Sequence, residues 1–187
     1  TVKKYYEIDF ENFAIAMFHP VTTEANEMKQ YAENFVAALQ KDTHNYVVIY
    51  PNNDLGSQFI INEYLNLKEN ERFRIFPSLR FEYFLTLLKN AQFIIGNSSA
   101  GIREAPYYGV PIINIGTRQQ NRAVHADIIN VDYSTEGILD ALKTIDLHKV
   151  QSVQSNFGDG NSTQLFVKAI QNNDIWRIYH QKQFRDS

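Results

Sequence analysis

The sequence has no cysteine, which excludes disulfide bonds, thiolate catalysis and cysteine-based zinc sites. Its apolar runs are all shorter than the roughly 20 residues that a membrane-crossing helix needs. It also lacks a strong excess of either charge, because 18 Lys and Arg stand against 21 Asp and Glu, for a net charge of −3. This balance argues against a nucleic-acid partner, and no segment suggests a membrane partner. We expect a disulfide-free cytoplasmic protein.

The five histidines show no paired spacing, so we expect no metal site. No order of residues typical of a Ser-His-Asp triad is present either. What the chain does contain is an alternation of short apolar runs with longer helical patterns. The predicted strands cover residues 13–18, 46–50, 72–76, 93–96, 110–116 and 127–131. Near-continuous apolar strands separated by helices predict an α/β fold with a doubly wound parallel sheet.

Polar residues at two helix starts predict where those helices begin. Thr22 or Thr23 is the expected N-cap of a helix that runs to about residue 41, and Ser134 is the expected N-cap of another. A short helix is expected around 100–108. Two further helical segments are expected at 162–173 and 174–184.

Ligands of such sheets bind beyond the carboxyl ends of the strands, at the point where the strand order reverses. This rule selects the segments that directly follow the strands. They are HPVTTE, PNNDLGS, PSLR, GNSSAGIRE and GTRQQNR, which begin at residues 19, 51, 77, 96 and 116.

The segment GNSSAG leads into a helix whose first amides would favour an anion. Ser98 and Ser99 either contact a phosphate or simply cap the helix, and their pattern matches neither the P-loop nor the dinucleotide-binding motif. Glu104 either accepts hydrogen bonds from ribose hydroxyls or stabilises the helix start. Arg118 is well placed to bind phosphate with its guanidinium fork, whereas we expect Arg122 to be solvated.

His19 closes the first strand and could donate to a phosphate oxygen, although a histidine before a proline is more often structural. Taken together, the long segment from Gly96 to Arg122 and the shorter FHPVTTE, YPNNDLGS and FGDGNST resemble the hydrolysing UDP-N-acetylglucosamine 2-epimerases of sialic-acid and related pathways. The resemblance spans about residues 13–170. Non-hydrolysing relatives typically carry an Asp-Ser-Gly-Gly turn and a Gln-Glu-Glu run where this chain has GNSS and Arg103-Glu104.

The resemblance implies a Rossmann-like domain, the C-terminal half of a GT-B fold, with UDP in the cleft. Residues 1–12 would lead in from a missing N-terminal domain, and residues 13–187 would form the UDP-binding domain. By resemblance, Ser98 and Ser99 bind the diphosphate with Arg118 nearby, and Glu104 holds the ribose. The same resemblance implies roles for three further residues: His19 and Asn52 line the nucleotide site, and the backbone at Leu79 meets the uracil.

Members of this family eliminate UDP from UDP-N-acetylglucosamine and add water to the resulting glycal, which releases N-acetylmannosamine. The resemblance implies no cofactor, partners limited to UDP and a UDP-N-acetylhexosamine, and a homo-oligomeric full enzyme. Acid and base residues would lie on the missing domain, so we expect this chain alone to bind UDP and to be inactive. His19 would stabilise the leaving group.

Two alternatives stay open at this stage, and a third is discounted. A UDP-N,N'-diacetylbacillosamine 2-epimerase carries very similar motifs, and its different sugar would be selected mostly by the missing domain. A GT-B glycosyltransferase shares the fold and the UDP site, but the GTRQQNR segment argues against it. A receiver-like module needs acidic strand ends, which are not found here.

Overall fold

The first unit of the protein is built on six parallel strands. The computed structural model describes residues 1–120, 122, 128–145 and 158–177, and it separates into two units, Thr1–Gln154 and Ser155–Ser187. The strands are β1 (Ala14–Met17), β2 (Tyr46–Ile49), β3 (Phe73–Phe76), β4 (Ile94–Gly96), β5 (Ile112–Ile115) and β6 (Ile128–Val131). Every predicted strand is therefore confirmed to within two residues.

The sheet has the order β3-β2-β1-β4-β5-β6, and every neighbouring pair is parallel. The chain moves outward from β1 to β3, returns to the centre at β4 and moves outward again to β6. The order therefore reverses between β1 and β4, which is where a doubly wound sheet opens a crevice. The predicted α/β, doubly wound parallel sheet is confirmed.

Helices cover both faces of this sheet. Those of the first unit are α1 (Val2–Tyr5), α2 (Met28–Lys41), α3 (Ser57–Leu65), α4 (Phe81–Lys89), α5 (Ser99–Arg103), α6 (Ala105–Tyr108) and α7 (Thr135–Ile145). Successive strand residues point to opposite faces, so Ala14 and Ala16 join one buried cluster with α2 and α7, while Ile15 joins a second cluster with α4 and α6. Burial on both faces explains why the central strands β1 and β2 are apolar throughout.

The predicted N-cap at Thr22 or Thr23 is wrong. Thr22–Glu24 form a short 3-10 helix, and α2 begins only at Met28, with Glu27 at its N-cap and no side-chain cap. The physical reason is a tertiary contact, since the Glu24 carboxylate accepts hydrogen bonds from a distant loop instead of continuing a helix. Ser134, in contrast, is confirmed as a cap, because its hydroxyl oxygen accepts the Gly137 amide at 3.1 Å.

The helix predicted around 100–108 is present but broken at Glu104, between α5 and α6. Pro106 lacks an amide hydrogen and cannot bond back to the residue four before it, so the first helix ends there. Gly109 then ends α6 at a φ of +67°. Glu104 is therefore the residue that joins α5 to α6.

A polar cluster lies at the opposite edge of the sheet, where β2 and β3 begin. The Asp42 carboxylate accepts hydrogen bonds from the Tyr46 hydroxyl at 2.6 Å and the His44 amide at 2.9 Å, and it pairs with His44 Nδ1 at 2.7 Å. Burial raises the pKa of Asp42, but these contacts outweigh burial and bring it to about 2. Arg72 also stabilises this turn, because its Nη1 donates to the His44 carbonyl at 3.2 Å.

The second unit, as far as the structure describes it, contains the helix α8 (Ser162–Gln171) and a 3-10 helix at Asn173–Arg177. The first agrees with the helix predicted at 162–173. The second replaces the start of the helix predicted at 174–184, whose remainder lies outside the described residues. Trp176 ties the two together by donating from Nε1 to the Ile170 carbonyl at 2.8 Å. None of the helices that the structure describes has the length and apolar character needed to cross a membrane.

Candidate functional site

A cleft of about 410 Å³ lies at the carboxyl ends of the central strands. Its walls come from the segments after β1, β2, β3 and β4, which are four of the five that the strand-end rule selects. Six of the seven predicted site residues line it: His19, Asn52, Leu79, Ser98, Ser99 and Glu104. The seventh, Arg118, lies in the loop after β5 and approaches the cleft from the side.

The floor of the cleft depends on Asn97, which is fully buried. Its Oδ1 accepts the His19 amide at 2.6 Å, and its Nδ2 donates to the His19 carbonyl at 2.8 Å. Gly96 makes this approach possible, because its φ is +131° and an added Cβ would lie 2.0 Å from the Met17 carbonyl oxygen. Asn97 therefore fastens the segment after β1 to the segment after β4.

Arg118 reaches the same place from the next loop. Its Nη1 donates to the Asn97 carbonyl at 3.1 Å, and the buried Gln119 donates to that carbonyl from Nε2 at 2.8 Å. Arg122 is exposed, and its Nη1 donates to Gln119 Oε1 at 3.4 Å. The guanidinium expected to meet a phosphate is thus anchored beside the cleft.

Asn97 and Gln119 were not among the predicted site residues. The cap of α5 is Ser98, whose Oγ accepts the Ala100 amide at 3.3 Å, so the Asn97 side chain is left to bond to His19. The signal available in the sequence was an asparagine between a glycine and a serine at the end of a predicted strand. The pairing of Asn97 with Gln119 spans 22 positions in the chain, and no local pattern indicates it.

His19 is neutral, and its ring accepts a hydrogen bond in this structure. The pKa of His19 is lowered from 6.5 to about 4, first by burial and then by the Arg118 guanidinium, against smaller opposite effects of Asn52 and Asp54. The Asn52 amide donates to His19 Nδ1 at 3.1 Å, which places the ring proton on Nε2. The arrangement therefore favours hydrogen bonding by His19 over protonation of a leaving group.

Asn52 brings an unsatisfied acceptor to the cleft wall. Its Nδ2 donates to the Asp54 carboxylate, while its Oδ1 is buried and has no partner in the described part of the chain. Buried polar atoms normally find a partner, so this oxygen is a candidate to accept a hydrogen bond from a bound molecule.

The two ends of the cleft differ in chemistry along the sheet order. The β1 and β4 side presents His19, Ser98, Ser99 and the first turn of α5, all suited to an anion. The β3 and α4 side is more apolar, and its residues are Pro77, Leu79, Phe81 and Phe84. A flat ring at one end and a phosphate at the other would match this division.

Glu104 lines the cleft from the break between α5 and α6. Burial raises the pKa of Glu104, while a backbone hydrogen bond and Arg103 oppose the change. A half-buried carboxylate of this kind suits sugar hydroxyls better than phosphate, because two anions would repel each other. Across the described residues, no three His, Asp or Glu side chains lie close enough together to hold a metal ion.

The sheet and the cleft define a Rossmann-like α/β domain, of the kind that forms one half of a GT-B fold. Comparisons with known proteins narrow the class further. The family model described as UDP-N-acetylglucosamine 2-epimerase matches residues 1–171. A UDP-N-acetylglucosamine 2-epimerase of Neisseria meningitidis is 50% identical over 99% of this chain and 50% of its own length. The chain therefore belongs to the UDP-N-acetylglucosamine 2-epimerase family.

Two further comparisons bear on fold and substrate. A hydrolysing UDP-N,N'-diacetylbacillosamine 2-epimerase of Legionella pneumophila is 29% identical over 82% of the chain and 41% of its own length. The crystal structure of a Neisseria meningitidis UDP-GlcNAc 2-epimerase bound to UDP-GlcNAc matches with a TM-score of 0.71 at 18% identity, over 92% of this chain and 49% of that one. The chain spans half or less of the length of these proteins.

Proposed function

We propose that this chain is the UDP-binding C-terminal domain of a hydrolysing UDP-N-acetylglucosamine 2-epimerase. The observation that carries the proposal is that one cleft is lined by six of the seven residues that the sequence predicts for a UDP site. Membership of the epimerase family and the UDP-GlcNAc bound to a structural neighbour support the same ligand. The missing partner is an N-terminal domain, in keeping with relatives about twice as long.

In the proposed complex the diphosphate lies against Ser98, Ser99 and the first turn of α5, with Arg118 beside it. The ribose hydroxyls donate to Glu104, and the uracil lies at the apolar end near Leu79. Asn52 offers its unpartnered Oδ1 to a donor of the nucleotide. Each assignment pairs a group of the ligand with the opposite charge or the complementary hydrogen-bonding capacity.

The proposed reaction begins when a base removes the proton at C2 of the sugar and the bond from C1 to the diphosphate oxygen breaks. The electron pair of the C2–H bond forms the glycal double bond, and UDP carries away the pair of the broken C1–O bond. Water then adds its hydroxyl at C1 and a proton at C2 with inverted configuration, giving N-acetylmannosamine. The base and the acid would come from the other domain.

This chain would act on the leaving group. Negative charge develops on the diphosphate oxygen as the C1–O bond breaks, and fixed donors aimed at that oxygen lower the barrier. Arg118 supplies a permanent positive charge. Neutral His19 supplies an N–H donor from Nε2, so leaving-group stabilisation by hydrogen bonding is the role that we propose for it.

Calorimetry of the 187-residue chain with UDP tests the binding site. We expect weak binding, which Arg118→Ala weakens about tenfold or more, since a hydrogen bond to a charged group is worth about 1.5–3 kcal/mol. Lys89→Ala is the matched control, because this exposed lysine ends α4 at the opposite edge of the sheet. Absence of binding at about millimolar UDP would refute the proposal, since that limit corresponds to only about 4 kcal/mol.

The ribose assignment has its own test. Glu104→Gln should weaken the binding of UDP but leave the binding of 2′,3′-dideoxy-UDP unchanged, because the latter has no ribose hydroxyls to donate. An equal loss for both nucleotides would show that Glu104 acts elsewhere.

The type of reaction and the sugar require the longer protein. We expect NMR of its products to show free N-acetylmannosamine and UDP, and no turnover by this chain alone. Formation of UDP-N-acetylmannosamine would identify a non-hydrolysing enzyme instead. The similarity to the Legionella enzyme makes UDP-N,N'-diacetylbacillosamine the second candidate substrate, and kcat/KM for the two sugars would decide between them.

A further inference from the structure

The loop that carries Arg118 is held at Thr117 by two side chains from other parts of the fold, Glu24 and Tyr133. The Thr117 hydroxyl donates to Glu24 Oε1 at 2.5 Å, and the Tyr133 hydroxyl donates to Glu24 Oε2 at 2.7 Å. The Thr117 amide donates to the Tyr133 hydroxyl oxygen at 3.2 Å and completes the ring of contacts. We refer to Glu24, Thr117 and Tyr133 as the carboxylate clamp.

The Tyr133 ring of the clamp is closely packed on two sides. It stacks on Tyr31 with centroids 3.7 Å apart and planes 6° from parallel. The ring also lies directly against Gly116, where an added Cβ would be 2.0 Å from the Tyr133 Cζ. Gly116 has a φ of +69°, and its amide donates to the Val131 carbonyl at 2.8 Å. The backbone that leads into Arg118 is thereby fixed before the arginine is reached.

The far side of the loop is fixed as well, since Arg118 and Gln119 both donate to the Asn97 carbonyl. Arg118 thus lies between two anchors, with the clamp at the preceding residue and Asn97 at the cleft floor. A long arginine side chain loses conformational freedom when it meets a ligand, and prior fixing reduces that loss. Neither Glu24 nor Tyr133 lines the cleft.

We propose that the carboxylate clamp positions Arg118 for the anion in the cleft, so that Glu24 and Tyr133 are positioning residues for a ligand that they do not touch. The inference rests on the proposed function, because it requires that the cleft binds UDP. It also predicts an effect opposite in sign to simple electrostatics. Removing the Glu24 carboxylate would strengthen the binding of an anion if charge alone mattered, whereas loss of positioning weakens it.

Calorimetry with UDP on variants of the 187-residue chain tests the clamp. Tyr133→Phe keeps the ring and removes only the hydroxyl, and Thr117→Val removes the hydroxyl at nearly constant shape. We expect each of them, and Glu24→Ala, to weaken UDP binding about three- to tenfold, in the range set by the loss of about one hydrogen bond. Thr117→Ser keeps the hydroxyl and should bind UDP as the wild type does. Tyr107→Phe, at an exposed tyrosine of α6, is the control and should also leave UDP binding unchanged.

A double-variant cycle shows whether the clamp acts through Arg118. In the Arg118→Ala background, Tyr133→Phe should cause no further loss, because the group that it positions is already absent. An equal loss in both backgrounds, unchanged binding by Tyr133→Phe and Thr117→Val, or stronger binding by Glu24→Ala would each overturn the inference. If the wild-type chain itself fails to bind UDP, the proposed function fails first. Circular dichroism of every variant confirms that the compared proteins are folded.

Discussion

Replacement of Asn97 by alanine should strongly destabilise the first unit of the fold. The Asn97 side chain makes hydrogen bonds of 2.6 and 2.8 Å to the amide and the carbonyl of His19, and the residue is 0% exposed. Alanine would leave both part-buried backbone groups without their protein partner, at about 1–3 kcal/mol each. We therefore expect a loss of about 2–6 kcal/mol, a large part of the roughly 5–15 kcal/mol that keeps a typical domain folded.

Urea unfolding followed by far-ultraviolet circular dichroism is the assay, because the only tryptophan, Trp176, does not belong to the unit under test. Asn90→Ala is the matched control. Asn90 is exposed, follows the last residue of α4 and donates to the Thr86 carbonyl of that helix, so its loss should stay near 0.5 kcal/mol, as is usual at surface positions. The reasoning is refuted if Asn97→Ala proves no less stable than this control.

The remaining predictions concern two ionisable groups and a glycine. Asp42 has a pKa of about 2 in the fold against 3.8 ordinarily, so its stabilising effect is complete above about pH 4 and is lost as the pH falls through 2. In urea unfolding, the gap between wild type and Asp42→Asn should close over that range, and a constant gap would contradict the pairing. His19 has a pKa of about 4 against 6.5, so the unfolded chain takes up the proton first and stability decreases from pH 6.5 down to 4. His19→Gln should remove that slope, and an unaltered slope would show that His19 is not buried as described. Gly116→Ala should lower stability in thermal unfolding by more than about 1 kcal/mol, through positive φ and collision with Tyr133. Gly56→Ala, also at positive φ but with no atom closer than 3.1 Å to the added Cβ, should lose less.

The strand pattern alone was sufficient to predict the sheet and the edge that carries the cleft. Apolar runs such as Tyr46–Ile49 are buried on both faces, and that environment leaves a direct mark on composition. The position of each strand end then follows, and the selected residues converge because parallel strands end at one edge. Ser98 and His19 could be found in this way without knowledge of their contacts.

Features that depend on contacts between distant parts of the chain could not be predicted. Thr22 and Thr23 match the local pattern of an N-cap, yet Glu24 beside them bonds to Thr117 and Tyr133, more than 90 positions away. Local propensity is weaker than such a network of charge-assisted hydrogen bonds. The contacts that support Arg118 could not be predicted for the same reason, whereas its position after a strand marked Arg118 as a candidate phosphate ligand.

The side-chain carboxamide of Asn97 replaces a main-chain acceptor in the hydrogen-bond ladder between β1 and β4. Between β1 and β4 the bonds advance by two residues, as Ile15 donates to the Phe93 carbonyl and Asn97 donates to the Met17 carbonyl. The next bond in this series would join the His19 amide to the main-chain carbonyl of Asn97. Oδ1 accepts that amide instead, so the main-chain carbonyl is released from the sheet and becomes the acceptor for Arg118 and Gln119. This exchange of acceptors ends the pairing of β1 with β4. It also leaves the Asn97 carbonyl available to Arg118 of the loop after β5.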